Sequence, residues 1–199
     1  MTRLCLPARI DAVMAARAFT RPRWGNLFGL LGRNRAVSPN PDVSPGALPR
    51  IERIWTPAYA IKLAIASRRG PGTVWVSVDG CSGTFALFER AGELAERDVS
   101  EYALSPTLDE GTAVAAARRG LLQYILRRRG QGHKPVVEAV ETILPYHAPV
   151  WVLYYRRFRR FIDLAVVDGY TGSPMGARAK QAVLNAIIAD HKQRRASTD

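Results

Sequence analysis

The segments VDGCSG (residues 78–83) and VDGYTG (residues 167–172) decide the fold of this 199-residue chain, because each fits a tight turn that ends a strand. In such a turn the aspartate side chain accepts hydrogen bonds from the backbone amides that follow it, and glycine adopts positive φ without steric cost. Asp79 and Asp168 are therefore predicted to be paired turn caps rather than metal-binding or catalytic carboxylates. Their agreement predicts an internal duplication.

The sequence before the two turns repeats as well. PAYAI (residues 57–61) and PVWVL (residues 149–153) each have a proline followed two residues later by an aromatic side chain, and each leads through an arginine-rich turn into the strand that ends at the Asp-Gly pair. Apolar spacing and alanine content predict helices at 7–20, 110–128 and 177–192. The expected fold class is α+β, with two repeated units, each a helix packed on a small antiparallel sheet, plus a C-terminal helix.

The domain organisation follows from these segments. Residues 1–35 are expected to form an N-terminal helix followed by an aromatic and basic segment, and residues 36–50 contain four prolines and are expected to be a linker. The strands of the first α+β repeat are assigned to 51–105. The second repeat, with the C-terminal helix, is assigned to 106–199.

The segment LDEGTA (residues 108–113), followed by strands that end in VDGYTG, resembles the PepSY-type module. The resemblance covers about 108–176 better than it covers 7–90, so the chain is similar to an internally duplicated tandem pair of such modules. It implies a non-enzymatic binding or inhibitory module, with no catalytic residues to transfer to this sequence.

The chain is strongly basic, with 29 Lys and Arg against 17 Asp and Glu and a formal net charge of +12. Such a charge attracts anionic partners, which include nucleic acid, an acidic membrane surface and an acidic face of a protein. In YYRRFRRF (residues 154–161), arginines interleave with aromatic residues. That pattern suits phosphate pairing with base stacking, but the interpretation we favour is a hairpin end whose arginines face water while the aromatic residues enter the core.

The candidate partner-binding residues lie in this arginine-rich hairpin and in an N-terminal segment around residues 24–35. In the N-terminal segment, aromatic and leucine side chains lie between arginines, which suits binding in a partner's groove, a membrane interface or packing on this protein's own core. The candidates are Arg156, Arg157, Phe158, Arg159 and Arg160 in the arginine-rich hairpin, and Trp24, Phe28, Arg33 and Arg35 in the N-terminal segment.

Motifs for catalysis are not evident in the sequence. It has no glycine-rich phosphate loop and no nucleophile elbow, and its two cysteines and three histidines do not have zinc-ligand spacing. Cys81 lies in a glycine-flanked turn with no histidine tied to it by sequence, which leaves a thiol hydrolase as a remote alternative. We therefore expect no enzymatic activity, no cofactor and no metal.

The predicted function is that of a non-catalytic accessory or adaptor protein, a subunit or assembly factor of a larger complex, that binds another macromolecule. The alternative is a basic nucleic-acid-binding protein that uses the hairpin at 156–160. Neither a secretory signal nor an apolar stretch of roughly 20 residues is present, so we expect a cytoplasmic location or one at the periphery of a membrane complex.

Overall fold

The computed structural model describes residues 2–20, 48–67, 70–99, 102–127, 135–157 and 161–196. Within them lie seven strands and three α-helices. In chain order they are β1 (Thr2–Cys5), α1 (Ala12–Thr20), β2 (Arg50–Ser67), β3 (Gly70–Asp79), β4 (Phe85–Leu87), β5 (Ala95–Asp98), α2 (Glu110–Arg127), β6 (Val136–Arg157), β7 (Phe161–Asp168) and α3 (Ala177–Ala196).

The described strands form one mixed sheet. Its two longest strands, β2 and β6, run antiparallel at the centre, from the pair Arg50–Tyr154 to the pair Ala66–Val136. β3 pairs with β2 and carries β4, while β7 pairs with β6. β1 runs parallel to β6 at a single register position and pairs antiparallel with β5. The sheet order is β4-β3-β2-β6-β1-β5, with β7 also on β6.

The predicted fold class is wrong in its architecture, although the fold is α+β in the general sense. The two hairpins, β2–β3 and β6–β7, do not build two small sheets, because their first strands pair with each other along nearly their whole length. The apolar residues of β2 and β6 point to both faces of this joint sheet. Each hairpin alone would leave one edge of its longest strand unpaired, and joining the two removes both edges.

The helices also depart from the prediction that each packs on its own repeat. α2, whose buried residues are Ala113, Ala117, Leu121 and Ile125, packs on the first hairpin against residues that include Ile61 and Val76. α1 follows β1 in the other half of the chain, and it packs through Ala15 and Phe19 on Trp151, Leu153 and Val167 of the second hairpin. The helix upstream of each hairpin therefore covers the hairpin of the other half.

The entries into α1 and α2 repeat the same hydrogen bonds. The Gly80 carbonyl accepts from the amides of Thr107 and Leu108, and the Gly169 carbonyl accepts from the amides of Arg9 and Ile10, all at 3.0 Å. The Tyr59 hydroxyl donates to the Leu108 carbonyl at 2.8 Å, and Trp151 Nε1 donates to the Ile10 carbonyl at 2.9 Å.

The helix caps repeat too. Asp109 Oδ1 accepts the Thr112 amide and Asp11 Oδ1 accepts the Met14 amide, both at 2.7 Å. An aspartate in this position satisfies a free donor of the first turn, which explains why α1 begins at Ala12 rather than at the predicted residue 7. The two halves are thus related by a pseudo-twofold axis through the centre of the β2–β6 pair, where Thr56 lies opposite Ala148.

The third helix breaks this symmetry. Val183, Ala186 and Ile187 of α3 cover the face of the second hairpin opposite α1, where they contact Val152 and Val166 among other apolar residues. On the first hairpin no helix of the described ranges covers the corresponding surface. It is covered in part by Phe88 and by a short 3-10 turn at Ala91–Glu93, which precedes β5.

Candidate functional site

Most of the predicted partner-binding residues lie outside the described residues. These are Trp24, Phe28, Arg33 and Arg35 in the N-terminal segment, and Phe158, Arg159 and Arg160 in the hairpin. Arg156 and Arg157 end β6, and the Arg156 side chain is exposed. We call the described end of this hairpin, Arg156 with Phe161 and Ile162 opposite, the hairpin end.

The hairpin end exposes two large apolar side chains. Phe161 is 66% exposed and Ile162 is 71% exposed. Successive residues of a strand point to opposite faces, so the two side chains present apolar surface on both sides of the hairpin. The expectation that its aromatic residues enter the core is wrong for Phe161. Ile162 was not among the predicted partner-binding residues, although its position next to an arginine-rich turn could have indicated that its side chain is exposed.

The tyrosines of the same stretch are held by carboxylates. The Tyr154 hydroxyl donates to Glu52 Oε1 at 2.7 Å, and the Tyr155 hydroxyl donates to Asp163 Oδ2 at 3.1 Å. Both rings are half-buried. Tyr154 and Tyr155 are therefore structural residues of the sheet and are poorly placed to stack on bases.

The outer edge of β7 is protected against pairing with another strand. Asp163 Oδ1 accepts the Leu164 amide at 2.8 Å and forms an ion pair with Lys180 Nζ at 2.5 Å. Further along, the Val166 carbonyl accepts the Met175 amide at 2.9 Å. Charged side chains and covering loops of this kind block strand addition, so the hairpin end offers its side chains rather than its backbone to a partner.

A groove of about 460 Å³ lies between the two Asp-Gly turns, on the face of the sheet that carries α3. We call it the inter-turn groove. Its polar lining includes Asp79, Asp168, Ser77, Tyr146 and Arg90, and apolar residues such as Leu6, Phe88 and Met175 complete the wall. It spans the pseudo-twofold axis, because Thr56 and Ala148 also line it.

The two aspartates cap their turns as predicted. Asp79 Oδ1 accepts the amides of Cys81 and Ser82 at 3.1 and 2.6 Å, and Asp168 Oδ1 accepts those of Tyr170 and Thr171 at 2.7 and 2.9 Å. The cap uses one carboxylate oxygen in each case. The second oxygen of each aspartate accepts no hydrogen bond from a described residue.

Ser77 and Tyr146 form a hydroxyl pair in the wall of the groove, with their oxygens 2.7 Å apart. Ala58 lies opposite Tyr146 and Ala60 lies opposite Ser77, so the Tyr146 side chain reaches across β2 over two small residues. Tyr146 is only 4% exposed. Burial, together with the charges of Asp79 and Asp168, raises the pKa of Tyr146 to about 12, although the bond with Ser77 opposes the shift.

Tyr170 holds two arginines at the mouth of the groove. The guanidinium carbons of Arg9 and Arg90 lie 4.4 and 3.9 Å from the centre of its ring. The Tyr170 hydroxyl donates to Glu93, whose Oε2 also accepts from Arg9 Nη2 at 2.8 Å. Arg90 forms no ion pair with a described residue, so its charge is available to the groove.

Cys81 does not have the properties of a nucleophile. Burial, with the nearby Asp79 carboxylate, raises the pKa of the Cys81 thiol to about 12, so it is a neutral thiol at pH 7. The reactive form of cysteine is the thiolate, which needs a lowered pKa. Cys5, the other cysteine, is buried, and burial raises its pKa as well.

The described histidines do not form a site. Arg3 Nη1 lies 2.9 Å from His147 Nε2, and burial with this guanidinium lowers the pKa of His147. His191 packs at 6.4 Å from the Tyr102 ring, and His133 lies outside the described residues. Among the residues that the structure describes, no group of three His, Cys, Asp or Glu side chains is placed to hold a metal ion.

The comparisons with known proteins give no assignment: no family, no curated protein and no solved structure matches the chain. Within the described part of the chain, no helix is both long and apolar enough to cross a membrane.

Proposed function

We propose that this protein is a non-catalytic accessory protein that binds an acidic partner protein through the hairpin end. The observation that carries the proposal is the exposure of Phe161 and Ile162 beside Arg156. Exposed large apolar side chains beside an arginine are typical of interface centres, where aromatic residues and arginine are enriched. The net charge of +12 favours an acidic partner.

The chemistry of Cys81 and His147, the residues best placed to be considered as catalytic groups, supports a binding role over a catalytic one. The neutral thiol of Cys81 and the arginine contact of His147 leave neither residue suited to nucleophilic or base catalysis. The cytoplasm is the proposed location, which agrees with two cysteines that remain free thiols. The proposed partner belongs to a larger complex, of which this protein is a subunit or an assembly factor.

The test is a pull-down from extracts of the native host with tagged full-length protein and two double variants. Phe161→Ser with Ile162→Ser removes the apolar surface of the hairpin end. The matched control is Leu122→Ser with Leu126→Ser on α2, because both of those leucines are 51% exposed. All four side chains are largely in water, so each substitution should change the free energy of unfolding by no more than about 0.5 kcal/mol.

We expect the hairpin variant to capture at least tenfold less of the acidic partner than the wild type, while the control captures as much as the wild type does. Burying one such side chain contributes about 1.5–3 kcal/mol, which is more than a tenfold change in affinity. Equal capture by the hairpin variant would contradict the proposal.

The nucleic-acid alternative makes the opposite prediction in the same experiment. Nuclease treatment would then abolish capture, and binding would fall steeply with salt. Replacement of Arg156, Arg157, Arg159 and Arg160 by Ala would remove it, while the hairpin variant with serine at 161 and 162 would retain it.

A further inference from the structure

One wall of the inter-turn groove, formed by Ser77 and Tyr146, differs from the surface that the pseudo-twofold axis relates to it, and the difference indicates a ligand site. By the pseudo-twofold relation, the position of Ser77 corresponds to Val166, and that of Tyr146 corresponds to Ile54. Val166 and Ile54 are packed in an apolar cluster beneath α3. At these positions the surface over the first hairpin has the hydroxyl groups of Ser77 from β3 and Tyr146 from β6, and no helix of the described residues lies above them.

This hydroxyl pair is not saturated by the protein. Two hydroxyls carry two hydrogens, and the single bond between Ser77 and Tyr146 uses one of them. No other described residue bonds to either hydroxyl group. Both residues line the groove, so the remaining hydroxyl hydrogen is a donor that an acceptor of a ligand in the groove can use.

The charges on the groove have a definite arrangement. Asp79 and Asp168 end strands on the two sides of the axis, and each has one carboxylate oxygen that no described residue bonds. Arg90 lines the groove from the segment after β4, where it is held on the Tyr170 ring. Arg9 holds the same ring and is already paired with Glu93, so among the described residues around the groove Arg90 is the cation that remains for a ligand.

The carboxylates alone would be ordinary turn caps. Together with the hydroxyl pair and the Arg90 guanidinium, which has no ion-pair partner among the described residues, they line a groove of about 460 Å³, a size that suits a small ligand. Arg90 offers the planar fork that binds a carboxylate, and the two aspartates offer acceptors for an ammonium or guanidinium group.

We propose that the inter-turn groove binds a zwitterionic ligand of the amino-acid or short-peptide class. Its carboxylate binds Arg90, and its cationic group binds between Asp79 and Asp168. In a peptide ligand, the Ser77–Tyr146 pair donates to a backbone carbonyl oxygen. This site is separate from the hairpin end, so its test is independent of the test of the proposed function.

The test measures binding of three probes to the purified full chain by calorimetry: L-arginine, agmatine, which lacks the carboxylate, and succinate, which lacks the cation. We expect L-arginine to bind at least tenfold more tightly than agmatine, and succinate to bind weakest. No binding of L-arginine at ~10 mM, or equal binding of succinate, would overturn the proposal.

Variants assign the two ends of the ligand. Arg90→Gln should lower the affinity for L-arginine to that for agmatine and leave agmatine binding unchanged, whereas Arg118→Gln, an exposed arginine on α2, should change neither. Asp79→Asn with Asp168→Asn should weaken both probes at least tenfold. The asparagine Oδ1 still accepts the turn amides, so an unchanged melting temperature separates loss of charge from loss of fold.

Two results would contradict the assignment. One is an Arg90→Gln variant that weakens agmatine as much as L-arginine. The other is a double asparagine variant that keeps its melting temperature and binds both probes as the wild type does.

Discussion

At the scale of single residues, the close approach of backbone segments explains the glycines of the two Asp-Gly turns. A Cβ atom on Gly169 would lie 2.8 Å from the Pro149 carbonyl oxygen, and one on Gly80 would lie 2.9 Å from the Pro57 carbonyl oxygen. Those same carbonyls accept the amides of the two glycines at 2.9 and 2.8 Å. Each turn is thereby fixed to the strand beside it, and a side chain there would break the contact.

Gly169→Ala is therefore expected to lower the free energy of unfolding by about 1–3 kcal/mol, the usual cost of forcing an atom into a packed site. Gly176→Ala is the control, because a Cβ at that position meets nothing within 4 Å. Urea denaturation measures both. If the two variants have the same stability, the turn is not held against β6 as described.

The later glycine of each turn has a different role. Gly83 and Gly172 have φ of 67° and 70°, in the region that L-residues with a side chain rarely adopt. Their amides donate to the carbonyls of Asp79 and Asp168 at 2.9 Å. The conformational freedom of glycine is thus needed at the last glycine of each turn. At the glycine that follows the aspartate, close packing excludes a side chain.

At the scale of elements, α2 shows how a helix in the middle of the chain is divided between core and solvent. Leu121 is 4% exposed and packs against the first hairpin, whereas the adjacent Leu122 is 51% exposed. Ala113 and Ala117 bring the start of the helix close to the sheet. The helix is thus stabilised by one narrow apolar face, as expected for a helix lying on a sheet.

We expect Leu121→Ala to lower the free energy of unfolding by about 2–5 kcal/mol, because it removes buried apolar surface and leaves a cavity. Leu122→Ala should change it by no more than about 0.5 kcal/mol. Chemical denaturation followed by circular dichroism distinguishes them. A larger loss for Leu122→Ala would mean that the other face of α2 is buried.

At the scale of the whole molecule, the exchange of α1 and α2 between the hairpins makes the two halves depend on each other. The half that ends before residue 100 contains β2 and β3, but the helix that covers them follows in the other half. The half that begins after residue 101 contains β6 and β7, whose helix α1 is at the start of the chain. The central β2–β6 pairing adds a second joint surface.

Cleavage between residues 100 and 101 should therefore give two fragments that do not fold separately but form a one-to-one complex when mixed. Its apparent stability should rise with fragment concentration, as mass action requires. The control is cleavage between Pro145 and Tyr146, which cuts the central strand β6 and should give no complex. Cooperative unfolding of either 1–100 or 101–199 alone would contradict the exchanged arrangement.

Part of the candidate sites could be predicted from the sequence. The capping role of Asp79 and Asp168 followed from local turn chemistry and is confirmed by their bonds to the following amides. The inter-turn groove could not be predicted, because it joins Ser77, Tyr146 and Arg90 from distant parts of the chain. The exposure of Phe161 also escaped prediction, since an apolar residue beside arginines fits either a core or a surface position.

The sequence by itself determined the local features of this protein: the two equivalent turns, the repeated proline and aromatic residue in β2 and β6, and the start of α2 at Glu110 and of α3 at Ala177. These depend on neighbours within a few residues. Only the tertiary structure decided that the hairpins share one sheet, that α1 and α2 exchange hairpins, and that a groove lies on the axis between the turns. Those choices depend on contacts between residues that are far apart in the chain, such as the hydrogen bond from Trp151 to Ile10 across 141 residues. Local sequence patterns do not specify such contacts.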